Sequence, residues 1–271
     1  MLCQFTVKNF KSIRDEATLD LQAAAISEHT DHLAVGQTGE PFLPVSVIYG
    51  PNGGGKSNVL AALRALKNKV LNPVRAASSN EPMGHSGEAT IEPFAFSLES
   101  RSSATEFEIF FQTEMAEYRY ILHIQKDEVV LESLDRIKFD TRRRSGLYRR
   151  DLSGITLIGG FKQLQISEDL SETLPLLSYL GIAYGKNEVV RDVISWFRRG
   201  IIFFDYGNPL REMMFSVPKS DRLRKISLDL MHEMDLGIDD FRIEERDNEN
   251  IVVFTQHTIE GLSTWLSLSE E

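Results

Sequence analysis

Cysteine is almost absent from this chain. Cys3 is the only one in 271 residues, so no intrachain disulfide and no cysteine-built zinc site can form. Long apolar runs are missing too. Nothing approaches the ~20 residues that would span a bilayer, and Met1 to Lys11 has no apolar stretch of the kind that marks a secretory signal. Bases are short relative to acids, 30 against 40, giving a formal charge of −10. A surface built wholly to coat nucleic acid is therefore excluded, although a local basic patch is not. Repeats and low-complexity tracts are also lacking. What remains is 42% hydrophobic and 26% charged, enough to bury a sizeable core. These absences fit a soluble protein of a reducing, cytoplasmic setting.

The order of elements can be read from periodicity. Phe5-Thr-Val7-Lys-Asn-Phe10 alternates as a half-buried strand, with Thr18–Leu21 as a hairpin partner. Val45-Ser-Val-Ile-Tyr49 is nearly continuous in β-branched and aromatic residues and predicts a strand buried on both faces. Ser57 to Val70 carries Val59, Leu60, Leu63 and Leu66 at helical spacing. From Ile91 to Phe139 the texture becomes that of strands, predicted at 91–98, 106–111, 118–124 and 129–136 as an antiparallel meander. The stretch 166–199 reads as mostly helical, 201–204 as a short buried strand, and 223–234 as a helix stopped by Gly237. A hairpin is predicted from 241–244 and 251–254. The domain division expected is a P-loop and antiparallel β lobe over 1–165, a helical portion over 166–240, and a β hairpin with the start of a further element over 241–271.

Between the predicted strand 45–49 and the helix after it lies Gly50-Pro51-Asn52-Gly53-Gly54-Gly55-Lys56-Ser57, a full match to G-x-x-x-x-G-K-[ST]. Each residue type has a physical reason. Glycines let successive backbone N–H groups converge on phosphate oxygens, where a β-carbon would obstruct them. Lys56 brings a mobile positive charge to the β- and γ-phosphates, and the Ser57 hydroxyl suits a Mg²⁺ ion. The helix starting there turns its positive dipole end to the anion.

With Asn58 following the loop, and Asn9-Phe10-Lys11-Ser12-Ile13 at the end of the first strand, the sequence resembles the SMC/RecF-like branch of ABC-type ATPases. Within that branch it is similar to prokaryotic AAA family ATPases related to OLD-family and abortive-infection ATPases. Weaker points of similarity are Glu28-His29, Pro93-Phe94, Tyr118-Arg-Tyr120, Glu132-Ser-Leu134, Trp196-Phe197 and Gly237-Ile238. The resemblance implies an α/β P-loop NTPase fold, an ABC-ATPase-like head lobe with an antiparallel β subdomain and a helical portion. It implies ATP and Mg²⁺ as cofactors, with Gly50 to Asn58 as the binding residues and Lys11 and Ser12 as secondary contacts. It further implies a second ATPase head as partner, a nuclease or toxin effector, a role in DNA maintenance or antiphage defence, and no membrane.

Hydrolysis in such ATPases also needs a Walker B carboxylate, a following glutamate and a Ser-x-Gly-x signature. Ile201-Ile-Phe-Phe-Asp205 ends in an aspartate, but Tyr206 stands where the glutamate should follow, and the run reads as a structural strand. The signature would be expected just after Thr264–Glu271. The chain is therefore expected to be the N-terminal part of an ATPase, binding nucleotide weakly alone and hydrolysing little.

Two alternatives stand beside this. One is a non-hydrolysing structural or regulatory subunit. The other is a nucleic-acid-binding fragment acting through Arg136–Arg150, where seven bases and one acid surround Phe139 and Tyr148. The bland reading of that run is a solvated hairpin tip. His29 and His32, beside Glu28 and Asp31, have a spacing that could seat a metal but read as loop histidines. Ser145 and the other serines lack a G-x-S-x-G context. Gln163 or Gln165 could be the glutamine that links nucleotide to metal in ABC heads.

Overall fold

The structure is a computed structural model and describes residues 1–26, 28–78, 91–203, 221–233, 237–246, 250–259 and 261–267. The chain divides into two compact units, Met1–Ile201 and Ile202–Glu271. The helices of the 166–240 stretch fall on both sides of this division.

The first unit is built on a seven-stranded sheet in which every pairing is antiparallel. Its members are β1 (Leu2–Lys8), β2 (Ala17–Asp20), and, beyond two short strands β3 (Ala34–Val35) and β4 (Pro41–Phe42), β5 (Thr105–Gln112), β6 (Glu117–Gln125), β7 (Glu128–Ile137), β8 (Arg144–Asp151) and β9 (Gly154–Leu157). The order is β2-β1-β5-β6-β7-β8-β9, so the predicted meander forms the middle of the sheet. Tight turns do the connecting. Lys126 and Asp127, at φ 50° and 69°, make the two-residue turn between β6 and β7, left-handed as such hairpins require.

Alternation sorts the two faces. Phe5, Val7, Phe107, Ile109, Phe111, Tyr118, Tyr120 and Leu122 point inward and are fully buried. The opposite face carries a charged ladder in which Glu108 pairs with Arg119, and Asp135 receives both Arg119 and Arg144. Helices cover the inner face: α1 (Lys56–Ser78), α3 (Leu176–Ala183) and α4 (Glu188–Arg199), with a short α2 (Leu98–Ser102) at the entry to β5. Trp196 of α4 stacks on Phe111 at 3.9 Å between ring centroids, and Phe197 meets Phe111 and Tyr120 edge-on. Such pairs add about 0.5–1.5 kcal/mol each beyond the area they bury. Gly181 lets α3 approach its neighbours, since a β-carbon there would lie 3.1 Å from both Val74 and Ile194.

Four elements differ from the sequence reading. Val45–Tyr49 belongs to no sheet; Val45, Val47 and Tyr49 are 73%, 61% and 87% exposed, not buried. No backbone–backbone hydrogen bond reaches residues 44–49 among the described residues. A strand exists only through a partner, and β-branched composition cannot supply one. Of the 91–98 stretch, 91–97 is loop and Leu98 opens α2, because Pro93 has no N–H to give a ladder and Ser97 caps α2 by accepting from the Ser100 N–H. Residues 166–175 likewise form no helix, α3 beginning only after Pro175. Of the predicted strand 201–204, residues 201–203 are irregular, and Phe204 lies outside the described residues.

The second unit contains α5 (Asp221–Glu233) and a three-stranded meander of β10 (Asp240–Arg246), β11 (Asn250–Ile259) and β12 (Leu262–Ser267). The helix and hairpin match expectation, and β12 adds a third strand. Arg224 ties α5 to β10, pairing with Asp240 at 2.6 Å and donating to the Phe241 carbonyl.

Candidate functional site

The loop from Gly50 to Gly55 runs into α1 without a break. Gly53 and Gly55 hold φ of 81° and 84°, values that glycine adopts freely. Gly54 N–H donates to the Pro51 carbonyl at 3.1 Å and closes a turn. The Lys56 ammonium folds back over it, donating to the carbonyls of Gly50 and Pro51 at 2.7 Å each. Asn58 N–H and Val59 N–H both turn to the Gly55 carbonyl, which starts α1. The first N–H groups of an α-helix have no partner within it, so those of the first turn face the loop with the dipole behind them. Ser57 sits in that turn with its residue exposed.

A second segment completes the site. Asn9 and Lys11 take left-handed backbone conformations, φ 56° and 49°, and Phe10 and Ile13 exchange hydrogen bonds at 2.8 Å across the resulting turn. Ser12 is thereby carried to the loop. The Asn58 side-chain amide donates to the Ser12 hydroxyl at 2.6 Å, and a β-carbon on Gly55 would stand 3.1 Å from the same oxygen. Lys11 N–H donates to the Glu92 carbonyl at 2.8 Å, and its ammonium lies 5.6 Å from the Phe10 ring centre. The structure thus joins Ser12, Gly55, Lys56, Ser57 and Asn58 in one place, with Lys11 beside them.

The arrangement suits a chain of phosphates. Gly55 leaves the space that a β-carbon would fill, an ammonium rests on neutral carbonyls that an anion can displace, and the amides of Lys56 and Ser57 open the helix with no partner among the described residues. For Mg²⁺ the loop offers the Ser57 hydroxyl. Among the described residues no cluster of three or more His, Cys, Asp or Glu could hold a metal.

Over residues 45–270 the sequence matches the family model described as "AAA domain, putative AbiEii toxin, Type IV TA system". The chain belongs to this family. The AAA domain begins at the residue that opens the approach to the loop, and it covers α1 to α5 and β5 to β12. No curated protein matches the chain. The mixed α/β architecture with its large antiparallel sheet is a P-loop NTPase fold. Among the described residues, no helix of this AAA domain is long and apolar enough to cross a membrane.

Other candidates stay apart from the loop. The His29 and His32 rings lie 5.9 Å apart, and among the described residues the only carboxylate paired with either is Asp31, 3.6 Å from His32, with both side chains mostly exposed. Of the arginine run, Arg142 pairs with Glu40, Arg144 with Asp135, and Arg149 with Asp151. Arg150 is buried and donates to the carbonyls of Leu174, Ser171 and Glu172. Gln165 exchanges hydrogen bonds with the Tyr184 hydroxyl through its backbone, and both Gln163 and Gln165 are exposed. Asp205 and Tyr206 lie outside the described residues.

Two residues noted in the sequence only as points of resemblance, Asn9 and Glu132, carry structural roles that the sequence did not assign. The buried Asn9 carboxamide donates to the carbonyls of Ser100, Ser103 and Ala104 and accepts from Phe94 N–H. Glu132, wholly buried, accepts from the Tyr120 and Tyr148 hydroxyls and from the N–H groups of Leu176 and Leu177. It caps α3 from a strand, which Pro175 cannot do with its own side chain. Burial raises its pKa above the usual carboxylate value even against those four donors. The signal was an acid in phase with the inward Leu134.

Proposed function

We propose that residues 50–57 bind the triphosphate of ATP with Mg²⁺, and that this AAA domain is the ATP-binding part of an SMC/RecF-like, ABC-type ATPase. The observation that carries the reading is the Lys56 ammonium, held at 2.7 Å on two loop carbonyls directly above the first turn of α1. In the bound state it leaves Gly50 and Pro51 for the β- and γ-phosphates, while the amides of Gly53, Gly55, Lys56 and Ser57 take the remaining oxygens. Ser57 supplies a hydroxyl to Mg²⁺, and Lys11 and Ser12 make secondary contacts. Magnesium, when bound, neutralises charge on the phosphates.

A second head closing over the nucleotide, and a nuclease or toxin effector, complete the proposal. The family's description supports a toxin–antitoxin or defence setting. Equilibrium binding of Mg²⁺–ATP to the chain and to Lys56→Ala tests the reading. Loss of a charge-assisted contact should weaken binding about ten-fold or more. Equal affinity of the two would end it.

A further inference from the structure

The turn that brings Ser12 to the loop has a second flank, and an aromatic pair stands there. On one side of the turn are Gly55 and Asn58. On the other, Lys11 N–H is bonded to the Glu92 carbonyl, and Phe94 N–H to the Asn9 side-chain oxygen. The reciprocal Phe10–Ile13 bonds make this a single tight turn, about 7 Å or less across its ends. Just past it, the Phe96 ring leans edge-on against Phe94, 5.8 Å between centroids, and is 91% exposed. Among the described residues its one ring contact is Phe94, which leaves a ring face open to a ligand.

We infer that Phe96, braced by Phe94, is the platform on which the base of the bound nucleotide stacks. The inference rests on the phosphate-loop reading above. A triphosphate seated at Gly53–Ser57 carries its sugar past Ser12 and Lys11, and the base then reaches the 92–96 segment. That segment is fixed beforehand: Asn9 bonds to Phe94 and to the carbonyls of Ser100, Ser103 and Ala104, so little freedom remains to be lost on binding. The Glu92 carbonyl and the Phe94 N–H, polar groups able to read a base edge, are already engaged by Lys11 and Asn9. Recognition is therefore by ring face, which every base presents, and ATP and GTP bind alike.

Affinities of the chain for Mg²⁺–ATP, Mg²⁺–GTP and inorganic tripolyphosphate, which has no base, test this. Phe96→Ala should weaken both nucleotides about ten-fold and leave tripolyphosphate unchanged. Phe96→Trp should restore nucleotide binding, with indole emission quenched by ATP. If Phe96→Ala binds ATP as the unaltered chain does while Lys56→Ala loses both ATP and tripolyphosphate, the platform is refuted and the loop stands. If Lys56→Ala keeps both ligands, or the unaltered chain binds neither, the loop reading fails and the platform with it.

Discussion

Asn58 holds Ser12: the side-chain amide of one donates to the hydroxyl of the other at 2.6 Å, across 46 residues of sequence. The first turn of α1 and the N-terminal turn are thereby latched where phosphates would sit. Asn58→Ala and Ser12→Ala should each lower affinity for Mg²⁺–ATP several-fold while shifting stability by no more than about 1 kcal/mol. Gly55→Ala should do more harm, since it places a side chain at φ 84°, 3.1 Å from Ser12. That backbone costs about 1–2 kcal/mol. Calorimetric titration alongside thermal melting checks all three.

Glu132 has four donors and no exposure. Glu132→Gln puts an amide N–H where a donor already points, and should cost about 1–3 kcal/mol in urea unfolding. The pH dependence has a definite sign. Because the folded pKa is raised by burial, this group's contribution is full below the ordinary carboxylate value and declines as pH rises through the folded one. The glutamine variant should lack that decline.

Alkali should unfold the protein steeply. Burial pushes the Tyr118, Tyr120 and Tyr148 hydroxyls upward, with Asp192 or Glu132 beside them, and the Cys3 thiol to about 12. Raised folded values mean stability is full below the unfolded pKa and lost above it. The fall begins near pH 9 with Cys3 and steepens above about 10 by up to ~1.4 kcal/mol per pH unit for each phenol. Tyr148→Phe should be weaker at neutral pH yet flatter in alkali, as denaturant midpoints across pH will show.

Val45, Val47 and Tyr49 are exposed, and among the described residues their backbone has no hydrogen-bonded partner, which invites strand addition between molecules. Sedimentation should show self-association that increases with concentration. Val47→Lys should suppress it without changing the melting temperature.

Much of the sheet was legible because alternation is a local property. Phe107, Ile109 and Phe111, then Tyr118, Tyr120 and Leu122, declare their inward face by spacing alone. Val45–Tyr49 failed for the converse reason, since burial there depends on a partner strand that composition does not reveal. The glycines, Lys56 and Ser57 were legible because phosphate chemistry restricts residue types at fixed spacing. Asn9 was not, because its importance lies in bonds to residues more than 90 positions away. The arginine run read as a block of charge, yet the sheet brings Glu40, Asp135 and Asp151 to its members.

The knot around Glu132 also bears on how this sequence can drift. Two strand tyrosines and the start of a helix converge on one carboxylate, so a change at position 132 orphans partners at 120, 148 and 176 together. Substitutions there can be tolerated only in concert, and homologues should carry either the whole set or a wholly apolar replacement.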